Sequence, residues 1–561
     1  MVDFTIMGKN NINIDTRSIA LRLVQVASIT NTSGEVAFPD VLMTVLREIP
    51  FFKGHPDHVY DFSIEEDPKG RRIVMALAPG TGSSCVVLTG HYDVVDTNNY
   101  GVLEPFAFDP ENLTKRMLQS LSSKQALSPA EVLLKKDLES GAFIPGRGML
   151  DMKSGLAAGI AALAAFLDDT ERIGNIVYMA VPDEEGSSVG MKAAKKILST
   201  FAAEHGLALR AIINLDAAVD QGDGAEGKAV FVGSVSKLLP FVLFVGKPAH
   251  AGAPFDGFNP VIAASVFARD IECNSECFNI RTTFSGEEPP PPTMLYYREM
   301  RNRYDVTMPW DVFCALNVLT FEKNPAKIFE NVKLLAQKAL DNSISLLYER
   351  ISAFSRRQNG HVTIPKFSSA VIDFPELVDR AEYVVPGIVE RLRKIAEKSY
   401  PEDKVLQSAK VVHELLIYAH IEEPCAIVGL APPYYAKAEL DSDRDQAFLA
   451  SIKDELVRFN RMHEETIKLR PFFPGISDMS FLAPSIDKQS LKYIEQRSAV
   501  LQPDLKGYLD NPLNIPVINI GPWGREYHQS GERVNRQYAF NVLPELLFTI
   551  CQRLLKDSMQ G

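Results

Sequence analysis

The stretch CVVLTGHYDVVD, from Cys85 to Asp96, is an apolar strand that breaks at Gly90 and is followed by His91 and Asp93. Two interpretations of this pattern are open. Either the histidine and the aspartate belong to an ordinary polar turn, or the strand ends at a metal ion, with His91 as a ligand and Asp93 behind it. The rest of the chain must decide between them, because a metal site needs further ligands.

Strands and helices alternate around this stretch. The apolar runs GNIVYMAVP (174–182) and RAIINLDAA (210–218) predict further strands. The segments SGLAAGIAALAAFLDD (154–169), with Ser154 as its predicted N-cap, and VGMKAAKKILSTFAAEHG (189–206) have the apolar spacing of helices. This alternation indicates an α/β fold with a central, mostly parallel sheet flanked by helices.

The pattern changes after Gly233. The run SKLLPFVLFVGK (236–247) alternates loosely and predicts an edge strand, and helical spacing dominates from 320 to 425. The segment IPVINIGPWG (515–524) again has the pattern of a strand followed by a turn, as in the first part of the chain. We therefore expect a second, α+β domain inserted into the first. Its predicted bounds are 236–430, and the first domain comprises 1–235 and 431–561.

The composition argues against several classes of function. The net charge of −12 over 561 residues argues against a nucleic-acid partner, since no basic face can be inferred from an acidic total with scattered Lys and Arg. The first residues, MVDFTIMGKNNINID, lack the apolar core of a secretory signal, and the run GLAAGIAALAAFL (155–167) is too short to span a bilayer. Six cysteines in a chain of this length do not form a disulfide framework. We therefore expect a cytoplasmic protein without a nucleic-acid or membrane partner.

Carboxylates and a second histidine follow other predicted strands and turns. They are Asp151, Glu184, Glu185, Asp216 and His528. Ligands of open α/β sheets lie outside the carboxyl ends of the strands, so these side chains and His91 are expected to converge. Taken singly, each has an ordinary explanation: a helix cap for Asp151, solvated loop charges for the two glutamates, a strand-end turn for Asp216 and a surface position for His528.

Taken together, the residue types are those that a pair of divalent cations requires. Such cations lie about 3.5–4 Å apart and share one carboxylate, while each binds one histidine and one further carboxylate. A glutamate outside both ligand sets then moves protons between water and the leaving amine. The chain supplies this inventory with His91, His528, Asp151, Glu185 and Asp216, and with Glu184 as the free base. Asp93 would hold the other ring nitrogen of His91 and fix its tautomer.

A set of motifs also carries a resemblance to a known family. The motifs are GHYDVVD, GRGMLDMKSGLAA, VPDEEGSSVGM, INLDAA, GKPAHAGAPFDGFNPVIAA, GISDMSF and HQSGERV. Together they resemble the M20 peptidase family of co-catalytic zinc hydrolases and, within it, a longer branch associated with arginine utilisation. The resemblance covers both predicted domains. It implies a zinc-exopeptidase-like catalytic domain and, in the inserted α+β domain, a lid.

The resemblance also implies roles for single residues. The metal ligands it implies are His91, Asp151, Glu185, Asp216 and His528. The two divalent ions are expected to be zinc, with manganese or cobalt as alternatives. Glu184 matches the general base and Asp93 the carboxylate that supports His91. The peptide bond between Asp151 and Met152 is expected to be cis.

Other matching positions concern the substrate. His250, in PAHAG, matches a lid histidine that polarises the substrate carbonyl. Asn317 matches an asparagine of the lid, and Gly475 and Asp478, in GISD, match positions that contact the substrate or support the site. The implied activity is metal-dependent hydrolysis of an amide bond in a small substrate, such as a dipeptide or an N-acyl amino acid, in arginine or other amino-acid catabolism. A non-catalytic binding or regulatory protein with the same fold is the alternative, disfavoured because every ligand position carries a competent residue.

Two features depart from the usual pattern of the family. Asp151 follows His91 by 60 positions, so residues 100–145 are predicted to form an added flap. The inserted domain is larger than a minimal lid, which leaves open a homodimer, in which His250 serves the partner's site, and a large-lid monomer. A substrate carboxylate is expected to bind an arginine of the lid. The candidates near the proline run are Arg281, Arg298, Arg301 and Arg303.

Overall fold

The fold is taken from a computed structural model of the chain. The residues that it describes are 14–65, 67–278, 287–301, 304–322, 324–357, 365–401, 403–440, 443–509 and 513–557. Two of the candidate carboxylate-binding arginines, Arg281 and Arg303, lie outside these ranges.

The described strands fall into three sheets. They are β1 (Val59–Ser63), β2 (Arg72–Ala78), β3 (Thr81–His91), β4 (Phe143–Pro145), β5 (Ile173–Val181), β6 (Ala208–Asn214), β7 (Ala218–Val219), β8 (Ala229–Phe231), β9 (Ser236–Val245), β10 (Thr293–Glu299), β11 (Asp311–Thr320), β12 (Ala370–Asp373), β13 (Cys425–Tyr435), β14 (Lys468–Arg470), β15 (Val517–Asn519), β16 (Trp523–Arg525) and β17 (Arg533–Asn535).

The described α-helices pack mainly on the faces of the two larger sheets. They are α1 (Thr16–Val24), α2 (Ser33–Arg47), α3 (Pro50–Gly54), α4 (Pro110–Ser123), α5 (Pro129–Glu139), α6 (Ser154–Asp168), α7 (Val189–Glu204), α8 (Pro260–Ile271), α9 (Pro325–Arg357), α10 (Phe374–Val384), α11 (Ile388–Ser399), α12 (Lys404–Ala419), α13 (Asp443–His463), α14 (Met479–Leu482), α15 (Lys488–Arg497) and α16 (Leu543–Asp557).

The largest sheet has eight strands in the order β1-β2-β5-β3-β6-β15-β8-β14. Strand β3 runs parallel to β5 and β6, with His91 beside Val181 and Thr89 beside Asn214. Alternate residues of β3 enter two different cores, because Val86 packs with α6 and α16 while Val87 packs with α7. The sheet is thus mostly parallel at its centre and flanked by helices. The residues that follow β3, β5 and β6 therefore lie along one edge of the sheet.

The second sheet, which we call the lid sheet, has five strands in the order β10-β11-β9-β13-β12. All its neighbours pair antiparallel except β12 and β13. Helices α8 and α9 cover one face, and α10, α11 and α12 cover the other. The chain therefore has the expected fold, an α/β catalytic domain with an α+β lid. The predicted domain bounds at 235 and 430 stay a prediction.

The prediction of an edge strand at 236–247 is wrong. Strand β9 is the middle strand of the lid sheet, paired with β11 on one side and β13 on the other. Val242 packs into the core beneath α8 and α9, whereas Phe241 and Leu243 pack into the core beneath α10 to α12. Because both faces are covered, the strand needs apolar residues at nearly every position, which is typical of a central strand.

The segment predicted as a flap, 100–145, is largely helical. It contains α4 and α5, and their buried residues pack with Tyr100 and Ala107 into a small core of their own. Helix α5 begins with a capping box between Ser128 and Glu131. The segment ends in β4, which pairs with β17 in the four-stranded sheet β4-β17-β16-β7. The insertion is therefore tied to the last strands of the chain.

Helix α6 lies between the central sheet and helices α1 and α16. The segment Met149–Asp168 is apolar and long enough by composition to cross a bilayer, but 89% of its most apolar window is buried inside the protein. It is therefore the core helix of a packed domain. Ser154 is its first helical residue and not its N-cap as predicted, and the Ser154 hydroxyl donates to the Met149 carbonyl at 2.5 Å.

Candidate metal centre

The first predicted ligand, His91, is fixed by the strand end on which it lies. Its Nδ1 contacts the backbone carbonyl of Asp93 at 3.0 Å, which leaves Nε2 directed at Asp151. The glycine before it is required by packing, since a Cβ on Gly90 would lie 2.2 Å from Cε of Met152. The peptide bond between Asp151 and Met152 is cis, which confirms that expectation.

Two ligand sets meet at Asp151. The first contains His91, Asp151 and Asp216, and the second contains Asp151, Glu185 and His528; within each set the nearest ligand atoms lie within 4.8 Å of one another. His91 Nε2 lies 3.2 Å from Oδ1 of Asp151, while His528 Nε2 lies 3.2 Å from Oδ2 of the same carboxylate. His528 Nε2 also lies 2.8 Å from Oε1 of Glu185. One carboxylate thus offers one oxygen to each set, the arrangement that two bridged cations need.

The carboxylates stabilise positive charge at both histidines. Burial lowers the pKa of His528, but hydrogen bonds with Asp151 and Glu185 outweigh it and raise that pKa to about 10. Burial likewise lowers the pKa of His91, and hydrogen bonds with Asp151 and Asp93 raise it well above its ordinary value. Each histidine thus lies where the surrounding charge attracts a cation, be it a proton or a metal ion.

The carboxyls themselves are crowded and buried. Burial raises the pKa of Asp216 to about 8, with a further contribution from the charge of Asp151. Burial also raises the pKa of Glu184 well above its ordinary value, where the attraction of His91 only partly opposes it and the charge of Glu185 adds to it. Full ionisation of this cluster requires positive charge beyond what the two histidines provide. The donor set therefore fits two divalent cations.

Asp93 connects the first ligand with the acidic loop after β5. Its Oδ1 accepts the backbone N–H of Glu184 at 3.0 Å, and its Oδ2 accepts that of Glu185 at 3.2 Å. The Thr30 hydroxyl donates to Oδ2 at 2.9 Å. The carboxylate of Asp93 lies 3.6 Å from Nδ1 of His91, so it supports that histidine as well as both glutamates.

A buried arginine, Arg71, pairs with the acidic loop that follows β5, and no pattern in the sequence singles it out. Arg71 contacts Asp183 at 2.5 Å and Asp67 at 2.8 Å, and Glu35 at 3.6 Å. Asp183 adopts φ 68°, a left-handed conformation, and its Oδ2 accepts backbone N–H groups from Ser187 and Val189. The orientation of the loop therefore depends on a charge pair one residue before the predicted base.

Glu532, which follows the same strand and glycine turn as His528 but was given no role from the sequence, holds the loop that carries Asp151. It is fully buried and its Oε1 accepts the backbone N–H of Gly148 at 2.8 Å and that of Asp151 at 3.4 Å. Its Oε2 pairs with Arg147. In the sequence Glu532 stands out only by its place in HQSGERV, four residues after His528. The groups that it binds, such as the N–H of Gly148, lie about four hundred positions earlier in the chain, so the sequence alone does not reveal them.

Asn99, the residue directly before the inserted segment, contacts the second histidine. Its Nδ2 donates to the backbone carbonyl of His528 at 2.7 Å, and its Oδ1 accepts from Nη2 of Arg147 at 3.2 Å. His528 itself adopts φ 62°, a left-handed conformation that few non-glycine residues take without support. The chain at the entrance to the predicted flap therefore helps to hold His528 in place.

A cavity of about 350 Å³ opens beside the two ligand sets. This volume is at the lower end of the range of small-molecule sites. The cavity reaches from the catalytic sheet to the lid sheet. The described residues that line it are Asp151, Glu184, Glu185, Gly186, Asp216, Ala217, Lys237, Pro433, Tyr435, Phe473, Gly475, Ile476, Tyr527 and His528.

The structure brings some of the predicted substrate residues to this cavity and leaves others apart. Gly475 lines the cavity. Asp478 is buried, and burial raises its pKa to about 7. The charge of Asp478 in turn helps to raise the pKa of Glu184. His250 is exposed on a turn of the lid, where its Nδ1 accepts the backbone N–H of Gly252, and it is absent from the described lining. Asn317, on β11, is also absent from that lining.

Comparison with known proteins identifies the family. A sequence model described as "Peptidase family M20/M25/M40" matches residues 134–491. The chain belongs to this family. As an M20 protein it is a hydrolase of a metal-dependent family, a peptidase or an amidohydrolase. The resemblance carried by the motifs is thereby confirmed.

Two proteins of Bacillus subtilis (strain 168) are similar to this M20 chain over almost its whole length. "Uncharacterized protein YqjN" is 30% identical over 549 residues, covering 96% of this chain and 95% of YqjN. "Protein RocB" is 27% identical over 562 residues, covering 96% of this chain and 95% of RocB. A solved structure of a tripeptidase from Staphylococcus aureus has a TM-score of 0.51 and 15% identity, covering 98% of this chain and all of that one, and it shows the M20 fold alone.

Proposed function

We propose that the protein hydrolyses an amide bond in a small substrate, such as a dipeptide or an N-acyl amino acid, with two divalent cations at the candidate metal centre. The observation that carries this proposal is the position of Asp151, which contacts a histidine through each of its two oxygens. When bound, the cations would polarise the carbonyl of the substrate and lower the pKa of the attacking water. Zinc is the metal we propose, on the resemblance to the co-catalytic zinc hydrolases, and manganese or cobalt are the alternatives because imidazole and carboxylate donors admit all three.

Glu184 is the base in this proposal. It belongs to neither ligand set, yet its Oε2 lies 4.0 Å from Nε2 of His91 and its side chain lines the cavity. Burial raises its pKa well above the ordinary value, which makes the carboxylate a stronger base towards the proton of water. Glu184 takes a proton from the attacking water and passes it to the leaving amine as the amide bond breaks. The glutamate is thereby returned to its ionised form.

The size of the cavity supports the proposed substrate class. A volume of about 350 Å³ holds a ligand of a few residues and no folded chain. We place the reaction in cytoplasmic amino-acid catabolism, including that of arginine, on the likeness of the motifs to the arginine-utilisation branch. Family membership and a complete donor set leave the alternative of a non-catalytic protein without support.

Two neighbouring glutamates provide a matched test. Glu184→Gln is expected to abolish turnover and to keep both metal ions, because Glu184 is in neither ligand set. Glu185→Gln is expected to lower the metal content, since Glu185 contacts His528. A screen of dipeptides and N-acyl amino acids, with and without zinc, gives the activity, and elemental analysis gives the metal. Substantial turnover by the Glu184 variant would contradict its role.

His250 is proposed to reach the substrate carbonyl from the lid, in its own chain after lid closure or in the partner of a homodimer. Its exposed position supports both arrangements. Mixing the inactive variants Glu184→Gln and His250→Ala separates them. Activity recovered on mixing means that the histidine serves a partner's site, whereas no recovery from a mixture shown to exchange subunits means that it serves its own. Full activity of His250→Ala alone would contradict the role.

A further inference from the structure

Among the described residues that line the cavity, Lys237 is the one lysine or arginine. It is the second residue of β9, in the lid sheet, where it pairs with Leu319 of β11 on one side and Tyr435 of β13 on the other. Its Nζ lies 5.6 Å from the centre of the Tyr435 ring. The lysine is therefore built into the lid at the wall that faces the acidic metal centre.

The ammonium of Lys237 has no ion-pair partner within 4.0 Å among the described residues, although acidic side chains line the same cavity. Burial lowers the pKa of Lys237, and the charge of Glu184 opposes this only in part. A half-buried ammonium without a partner carries a desolvation cost that a structural role does not offset. An anion entering the cavity would offset it.

The position of the lysine suits one group of a small substrate. Lys237 lines the cavity from the lid sheet, whereas the acidic side chains line it from the catalytic domain, so an anionic group of the substrate is expected on the lid side. Pro433, Tyr435, Phe473 and Ile476 also line the cavity and provide apolar surface. A substrate with an amide at the metals and a negative charge at the lid matches this distribution of charge.

We propose that Lys237 binds a carboxylate of the substrate, and that it thereby selects acids, such as dipeptides and N-acyl amino acids with a free carboxyl group, over their neutral amides. The inference deepens the proposed function and rests on it. It differs from the expectation that a lid arginine binds this group. Arg298 is exposed on the edge strand β10, and Arg301 is engaged by Glu299 and Asp305, so neither lines the cavity.

The test compares matched substrates with the zinc-loaded protein. Each dipeptide and N-acyl amino acid of a panel is paired with its carboxamide analogue, for instance glycylglycine with glycylglycinamide and N-acetylalanine with N-acetylalaninamide. The quantity measured is kcat/KM for the amide bond that both members share. The variants are Lys237→Met, Lys237→Arg and, as a control, Lys247→Met. Lys247 follows the same strand and also lies over an aromatic ring, at 5.9 Å from Phe367, but does not line the cavity.

The wild type is expected to prefer the acid. Lys237→Met should lower kcat/KM for the acid by about 10- to 100-fold, as for loss of a hydrogen bond between charged groups, and leave the carboxamide unchanged. Lys237→Arg should retain part of the preference, and Lys247→Met all of it. Zinc content should stay equal in all variants.

Four results would overturn the inference. A Lys237→Met variant that keeps the preference shows that another group binds the carboxylate. Equal losses on acid and carboxamide, or a lower zinc content, show that the lysine serves only to balance the charge of the metal centre. Failure of the wild type to hydrolyse either member of any pair overturns the proposed function, and the inference with it. Hydrolysis of both members without discrimination overturns the inference alone.

Discussion

Replacing Arg71 with methionine is expected to lower the free energy of unfolding by about 3–5 kcal/mol, the usual cost of removing one partner from a buried charge pair. The Arg71 side chain is 4% exposed, and its partners Asp67, Asp183 and Glu35 are 1%, 3% and 0% exposed. Without the arginine these carboxylates stay buried with no cation beside them. Burial raises the pKa of Glu35 to about 7, so Asp67 and Asp183 carry most of the uncompensated charge at neutral pH.

The adjacent residue provides the control. Arg72 also pairs with two carboxylates, Asp40 and Asp61, but these are 67% and 42% exposed. Surface pairs of this kind contribute about 0.2–1 kcal/mol each, and Arg72→Met should therefore cost far less than Arg71→Met. Both variants lose a similar side-chain stem, so the difference between them isolates the buried charges.

The assay is urea unfolding of the zinc-loaded protein, followed by the fluorescence of its two tryptophans. Turnover measured on the same samples tests the second consequence. Because Asp183 directly precedes Glu184, loss of Arg71 is expected to lower kcat even where the protein remains folded. A stability of Arg71→Met within about 1 kcal/mol of that of Arg72→Met would refute the reasoning, since surface pairs alone account for that much.

Three further predictions concern the metal centre. Chelation should lower the melting temperature more at pH 8 than at pH 5.5. The pKa values of Asp216 (about 8) and His528 (about 10) are raised in the metal-free fold, so this fold binds more protons than the unfolded chain and loses stability as the pH rises from 5.5 to 8. A loss of melting temperature that is independent of pH, measured by scanning fluorimetry, would contradict this. Glu532→Gln should lower the free energy of unfolding by about 3 kcal/mol in urea, since it leaves Arg147 buried without its anion, and an unchanged midpoint would count against the pair. Asn99→Ala should weaken zinc binding about 2- to 10-fold in a competition titration through loss of its bond to the His528 carbonyl, and unaltered affinity would mean that Asn99 does not help to hold that histidine.

The convergence of the ligands could be predicted from the sequence because topology determines it. Once β3, β5 and β6 are placed side by side, the residues after them must meet at one edge, and this brings His91, Glu184, Glu185 and Asp216 together. The placement of His528 rested on the resemblance, since a histidine after a short strand carries little signal by itself.

What the sequence did not reveal depends on partners far along the chain. Glu532 and Arg71 look like surface charges because a single sequence does not show that their partners are buried. Strand β9 was misassigned because period-2 alternation is lost when both faces are covered. Of the helices in the inserted segment, α5 could be predicted from the sequence, since Ser128 and Glu131 have the spacing of a capping box before an apolar run.

The late position of His528 has a consequence for synthesis. The chain leaves the ribosome from its N-terminus, and β15, which fills the place between β6 and β8, is made only after residue 517. Until these last segments emerge, a nascent chain holds His91 and Asp151 but lacks the second histidine and the buried Glu532 that orders the Asp151 loop. On the proposed mechanism, a chain terminated before position 528 would lack one histidine of the metal centre and would therefore be inactive.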